Sequence, residues 1–232
     1  MDIKLICCIG LDYDLNLVPH FVNHYSRYNI DSFHFILNKK NKFNTTDYLK
    51  YFTDLDSIRV KFEDWVGEFN SIDKIYKFNN IIENSTESHI LLADVDEFQN
   101  HPGKINKDYV WGNLVDRVNK YSLSKKVTKK ELDKQFPSKT KISNWTNTIK
   151  PCVFPSSERL LTSHLITKQY NNESTIEVNH YRWTDTRLRK AEDRHRIYKK
   201  LNEDGKRWPP GQKINAEESL HVISKLKPKS KI

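Results

Sequence analysis

No apolar stretch in the 232 residues approaches the ~20 that a membrane-spanning helix needs, so the sequence offers no helical span. Its opening, MDIKLICCIG, has one lysine and no small-residue cleavage site, and reads as a first strand and not as a signal peptide. Cysteine is scarce: Cys7 and Cys8 are adjacent and cannot readily bridge each other, and Cys152 stands alone. That spacing excludes a structural zinc site of the Cys-x-x-Cys kind and suits a reducing compartment. The expected address is therefore the cytosol, where sequons such as Asn84-Ser85-Thr86 are idle. Internal repeats, RNA-binding strand signatures and zinc-finger spacings are also missing. Acidic residues are the minority, 30 against 39 basic ones, giving a formal charge of +9. Such a surplus points to an anionic partner: nucleic acid, a phosphorylated substrate or an anionic membrane surface. Much of it lies in SKKVTKK (124–130) and the tail SKLKPKSKI (224–232), which as a rule are solvated loops.

What is present describes a globular chain. Hydrophobic residues make up 37% and aromatics 12%, enough packed apolar material to separate it from disordered sequences and to build one substantial core. Residues 3–9 form a continuous apolar run of strand length. In LNLVPHFVNHYSRY, apolar positions recur at helical spacing through Leu17, Phe21, His24, Tyr25 and Tyr28. DSFHFILN (31–38) and SIRVKFED (57–64) alternate as strands do, the latter with Ile58, Val60 and Phe62 on one face. A helix is expected over 70–84, with Ile72, Ile75, Tyr76, Asn79 and Ile82 along one side, and HILLA (89–93) is a short strand buried on both faces. Strand-like pieces follow at 109–118, 151–154, 164–167 and 175–183, and an amphipathic helix is expected from Thr186 to Asn202, with Leu188, Ala191, His195, Tyr198 and Leu201 on one face. Alternating strands and helices imply an α/β sheet with its ligands beyond the carboxyl ends of the strands. The second half reads as further sheet and closing helices within one domain.

At such a strand end stand Asp94, Asp96 and Glu97, in ESHILLADVDEFQNHPG (87–103). Like charges this close disfavour each other's ionised forms unless a cation or a basic partner offsets them. Asp-x-Asp suits a hard divalent cation bridging a diphosphate, because magnesium and manganese prefer carboxylate and phosphate oxygens. A solvated loop does not need three acids directly after a buried strand.

The motifs together resemble those of the GT-A glycosyltransferases, in particular the family-2-like and family-92-like group. LLADVDEFQNHPG is similar to that group's DxDEF segment, YVWGNLVDRV to its glycine-containing strand, LDKQFP to its Gln-Phe-Pro segment, and NHYRW to its late His-aromatic-basic-Trp segment. The opening from Gly10 to Asn38 resembles its loop, helix and second strand, although Leu11-Asp12-Tyr13-Asp14 replaces the usual Asn-Glu. The resemblance implies a GT-A fold, a Rossmann-like mixed sheet flanked by helices. Residues 1–103 would form the nucleotide-sugar half, 104–223 the acceptor side and 224–232 a basic tail.

It further implies a metal-dependent transfer from a nucleotide-diphosphate sugar, of which UDP is the first candidate and GDP or dTDP the others, to a glycan or other hydroxyl acceptor, with inversion. Asp94, Asp96 and His180 are then the candidate ligands for manganese or magnesium, with Asp96 the more direct one. Glu97 ligates or positions a donor hydroxyl, and Gly112 lets backbone approach a sugar, though a glycine in a strand equally marks a bulge. The first loop from Asp12 through Tyr13 to Asp14, and Asn38, lie where the nucleobase and ribose would dock, although turn residues are their commoner use. Asp64 and Lys74 are further nucleotide-contact candidates, solvent exposure being the usual fate of such a lysine. The base that deprotonates the acceptor is sought among Asp185, Asp116 and Glu158. Asp185 is favoured, although an Asp before a helix is more often its N-cap. Arg182, Arg187 and Arg189 could offset phosphate charge, but a run such as RLRKAEDRHR is usually a solvated helix face. The basic tail and Trp208 are candidates for gathering an acidic acceptor, a membrane surface or a partner domain.

Three other readings compete. A haloacid-dehalogenase-type phosphatase also places Asp-x-Asp after a buried strand, but after an early one and without Phe98 in the following position. A nucleic-acid-binding module is suggested by the charge and by GKRWPPGQK (205–213), and strongly salt-dependent binding would mark it. Intact Asp94, Asp96 and His180 argue against an inactive sugar-binding relative.

Overall fold

The computed structural model describes residues 1–55, 59–119, 126–140, 149–171, 175–182 and 184–203. In chain order the strands are β1 (Ile3–Gly10), β2 (Ser32–Lys39), β3 (Arg59–Val66), β4 (His89–Leu92), β5 (Glu97–Gln99), β6 (Val110–Val118), β7 (Ser138–Thr140), β8 (Ile149–Pro155), β9 (Leu160–Thr162), β10 (Leu165–Ile166) and β11 (Thr175–His180). The helices are α1 (Val18–Tyr25), α2 (Ser71–Glu83), α3 (Leu132–Gln135) and α4 (Arg187–Glu203).

Nine strands form one mixed sheet in the order β3-β2-β1-β4-β8-β6-β11-β5, with β7 added beside β6. β1, β2, β3 and β4 pair in parallel, as the alternation of strands with helices requires. β8 then runs antiparallel to both β4 and β6, and β6 is parallel to β11. Two reversals restore the original direction, so the carboxyl ends of β1 to β4, of β6 and of β11 all open on one edge. The α/β mixed-sheet architecture expected of the sequence is the one observed, with strands from both halves of the chain in a single sheet.

The core lies on the two sheet faces. Phe21, Val22 and Tyr25 of α1 pack with Phe33, Phe35 and Leu91 on one, and Phe78, Ile81 and Ile82 of α2 pack with Ile36, Ile90 and Trp111 on the other. The buried face of α2 is not the expected one: Ser71, Lys74, Phe78, Ile81 and Ile82 point inward, while Ile72 and Tyr76 are exposed. Phe78 and Ile81 take the inward side with Ile82, and Lys74 shares that face with them. Three strands escaped sequence reading. β5 and β7 are three residues each, and β9 pairs with β10 in a small separate hairpin. All three cysteines are free and buried. Among the described residues no helix is long and apolar enough to cross a membrane.

The tail 224–232, Trp208, the segment 205–213, Ser124, Lys125, Ile58 and Trp183 lie outside the described residues. So do the side chains of Arg187, Leu188, Tyr198 and Leu201.

Candidate active site

The carboxylates that follow β4 belong to a tight turn. The Glu97 amide donates to the Asp94 carbonyl at 2.9 Å, and the Asp94 amide donates back to Glu97 Oε2 at 3.0 Å. Glu97 is thereby fixed inside the sheet, 3% exposed, where Lys150 of β8 meets it at 2.5 Å. Both members are buried, and the nearby carboxylates of Glu97 and Asp94 outweigh burial to keep the Lys150 ammonium charged. This placement gives Glu97 the part of a strut for the turn, turned away from the open edge.

Asp94 faces Lys74, which donates to its Oδ1. Lys74 comes from the first turn of α2, a helix started by Asn70, whose side chain accepts from the amides of Ile72 at 2.8 Å and Asp73 at 3.2 Å. The expectation of a solvated Lys74 is overturned: the residue is 7% exposed, drawn inward by Asp94. Burial alone would raise the Asp94 carboxyl, but Lys74 and then Lys150 hold it down at about 2.

Asp96 is met by His180. The end of β11 lies between β5 and β6, with His180 opposite Glu97 on one side and Asp116 on the other, and the Tyr181 amide donates to the Asp96 carbonyl at 2.7 Å. His180 Nδ1 lies 2.9 Å from Asp116 Oδ1 and its Nε2 lies 3.5 Å from Asp96 Oδ2. Burial would lower the imidazole, but Asp96 and Asp116 raise it to about 9. Asp96 in turn is held well below the usual carboxylate range: burial opposes this, but His180, Lys190 and Arg182 prevail. Asp116, considered from sequence as a base, here orients the imidazole.

The first loop completes the edge. Asp14 is buried and accepts from the Gly10 amide at 3.2 Å, and Lys190 of α4 lies 2.9 Å from both of its carboxylate oxygens. Tyr13 donates to Asp193, Arg189 donates to the Asp12 carbonyl, and the Arg189 guanidinium lies 5.3 Å from the centre of the Tyr13 ring. Asn38 is spent on backbone, its Nδ2 donating to the carbonyls of Trp65 and Gly67 at 3.1 Å each. That fixes the turn at Gly67, whose φ of +137° only glycine adopts readily. Asp64 is exposed and accepts from Thr45.

Gly112 and Glu158 lie apart, whereas Asp185 stands on the segment that joins β11 to α4, both of which border the site. Gly112 sits in the middle of the sheet, where a Cβ would come within 2.4 Å of both Cys152 Sγ and Val178 Cγ2, so its lack of a side chain serves strand packing. Glu158 follows the end of β8, opposite the beginning of β4, and binds Tyr109, Thr167 and the Lys168 amide. It is on the far edge of the sheet. Asp185 stands two residues before α4, and the Thr186 carbonyl accepts from the Lys190 amide. Among the described residues the buried Oδ1 of Asp185 has no hydrogen-bond partner.

Sequence reasoning passed over Lys150 and Lys190 as site residues. It also missed His164, at the β9–β10 turn, whose imidazole burial lowers to about 3 with help from Lys150 and Lys74. Little local marks them: Lys150 acquires its place through Glu97, Lys190 through Asp14, and His164 lies near Lys150 and Lys74 only in the folded sheet.

Among the described residues no group of three or more His, Cys, Asp or Glu side chains is disposed to hold a divalent cation. Asp96 Oδ2 and His180 Nε2 nevertheless form a fitting pair. Their 3.5 Å separation is at the outer limit of a hydrogen bond. Two ligands ~2.1 Å from one ion, at 90 to 110°, stand ~3.0–3.4 Å apart. Asp116 on Nδ1 is the outer carboxylate that ligating histidines use. Magnesium and manganese commonly take only one or two protein ligands, the rest being water and phosphate.

No protein-family model matches the chain, and no curated protein matches it. Solved structures do. Staphylococcus aureus TarS 1-349 in complex with UDP-GlcNAc is similar over 96% of this chain and 72% of its own, at 10% identity and a TM-score of 0.39. A longer TarS structure is matched by the whole of this chain, which spans 44% of it, at 12% identity and a TM-score of 0.40. A putative glucose-1-phosphate thymidylyltransferase from Bacillus anthracis is similar over 67% of this chain and 72% of its own, at 9% identity and a TM-score of 0.39. At such identities what this chain does must be read from its own side chains.

Proposed function

We propose that the chain is a glycosyltransferase that takes its sugar from a nucleotide-diphosphate donor, UDP-linked in the first instance, and works as one catalytic unit. The observation that carries this reading is the meeting of Asp96, His180 and Asp116 on the edge where the first loop and Asp94 also open. Parallel α/β sheets bind nucleotides at such an edge.

Charge supports it. Asp14, Asp94, Asp96, Glu97 and Asp116 are five carboxylates at or beside this edge, engaged by Lys74, Lys150, Lys190 and His180. A histidine that ligates a cation gives up its own charge, so the positive charge that settles a diphosphate among these carboxylates would come from the bound ion. In this reading Asp96 and His180 hold manganese or magnesium, with Asp94 beside them tied to Lys74. The cation, when bound, neutralises the leaving diphosphate.

Asp185 is the better candidate for the base. Asp116 is engaged by His180, whereas Asp185 keeps a buried oxygen free to accept the proton of an acceptor hydroxyl. Attack from a base-activated hydroxyl would invert the anomeric centre.

The test is calorimetry of the wild type and Asp96→Ala against UDP, GDP and dTDP, each with manganese and with a chelator. Metal-dependent binding of one nucleotide, lost in the variant, is expected. Absence of binding to all three by folded wild type would overturn the reading.

A further inference from the structure

α4 reaches across the first loop, and its hold on that loop is polar. Lys190 spans both oxygens of Asp14, Arg189 takes the Asp12 carbonyl, and Tyr13 reaches Asp193. Further along, Arg196 lies 3.7 Å from Glu68, beyond the end of β3. The helix therefore lies over the carboxyl ends of β1 and β3.

Lys190 holds a particular position on it. An ammonium has three N–H donors, and beyond the two contacts to Asp14 no described residue takes the third. Asp14 is itself fixed, buried at 6% exposure and held by the Gly10 amide, so the lysine is presented in one geometry. β1, whose following loop Lys190 grips through Asp14, is paired in parallel with β4, which runs into Asp94 and Asp96, so the first loop and the aspartates of the motif are neighbours on one edge. Between those two points the diphosphate of a nucleotide donor would have to lie.

Resting on the nucleotide-sugar reading above, we propose that Lys190 contacts the donor diphosphate and that the buried Asp14 carboxylate positions it. The Asp14 pair prevents the lysine from swinging into solvent, and its remaining N–H makes a charge-assisted bond to a phosphate oxygen. Asp14 acts through Lys190 and does not touch the donor. A carboxylate repels phosphate, so without the lysine between them Asp14 would oppose binding.

The test is calorimetry with UDP, uridine and inorganic pyrophosphate, in manganese, on the wild type, Lys190→Met, Lys190→Arg and Asp14→Asn. Lys190→Met should weaken UDP and pyrophosphate on the order of tenfold or more and leave uridine unchanged. Lys190→Arg should recover part of the loss. Asp14→Asn, which can still accept from the Gly10 amide, should give a smaller loss confined to the phosphate-bearing probes. Should Lys190→Met fail to fold, the arginine and asparagine variants decide the matter by the same comparison. Unchanged UDP affinity in the variants, or an equal loss of uridine, would overturn the proposal while leaving the transferase reading intact. Wild type that binds none of UDP, GDP or dTDP overturns both.

Discussion

Lys150 and Glu97 meet with almost no access to water, at 2% and 4% side-chain exposure. Removing one member of such a pair leaves the other charge uncompensated, which typically costs ~3–5 kcal/mol. Lys150→Met should therefore lower stability by about that amount in urea unfolding. It should also weaken nucleotide binding, because Glu97 is what pins the turn that presents Asp94. Gly112→Ala should cost about 1–3 kcal/mol by overpacking, with nucleotide affinity unchanged in the folded fraction, since Gly112 lies in the sheet and away from its open edge. Asp94 and Asp96 were legible as a charged strand end. That each has its own cationic partner was not, because Lys74, Lys150 and His180 become neighbours only through the sheet.

At the scale of elements, period and alternation located β1, β2, β4, β6, β8, β11, α2 and α4 close to their observed bounds. They failed where an element is too short to carry a pattern, as in β5 and β7, and where two apolar stripes compete on one helix, as in α2, whose Phe78 and Ile81 take the inward side and leave Ile72 and Tyr76 exposed. The start of α2 offers a direct test. Asn70 satisfies the amides of both Ile72 and Asp73, and Asn70→Ala should cost ~1 kcal/mol in thermal or chemical unfolding. Since Lys74 sits on the turn that Asn70 fixes, nucleotide affinity should fall with it.

For the whole molecule, acid sensitivity has a source far from the candidate site. Glu87 lies just before β4, buried at 4% exposure, with Lys4 at 2.8 Å and the Ser32 hydroxyl at 2.5 Å. Burial would raise its carboxyl, but Lys4 and Ser32 outweigh this and hold it at about 2, against an ordinary 4.5. A carboxylate depressed by folding contributes stability that is full above about pH 4.5 and is lost as pH falls through 2. Unfolding measured from pH 6 to 2 should steepen below 4.5, and Glu87→Gln should flatten that limb and lower stability at pH 6.

The reversal at β8 has a consequence for synthesis. β4, the strand that carries the candidate site, is bordered by β1 on one side and by β8 on the other. β8 comes some sixty residues after β4 in the chain. Until it is made, the nascent sheet ends in an apolar strand with a bare row of backbone donors and acceptors, the kind of edge that invites pairing with another chain. Closing that edge across so long a separation is slow. The carboxylate turn can take its final shape only then, because Lys150, the partner of Glu97, arrives on the same strand. The molecule thus acquires its working edge only once β8 has been made, and a segment ending near residue 103 would be prone to associate with copies of itself.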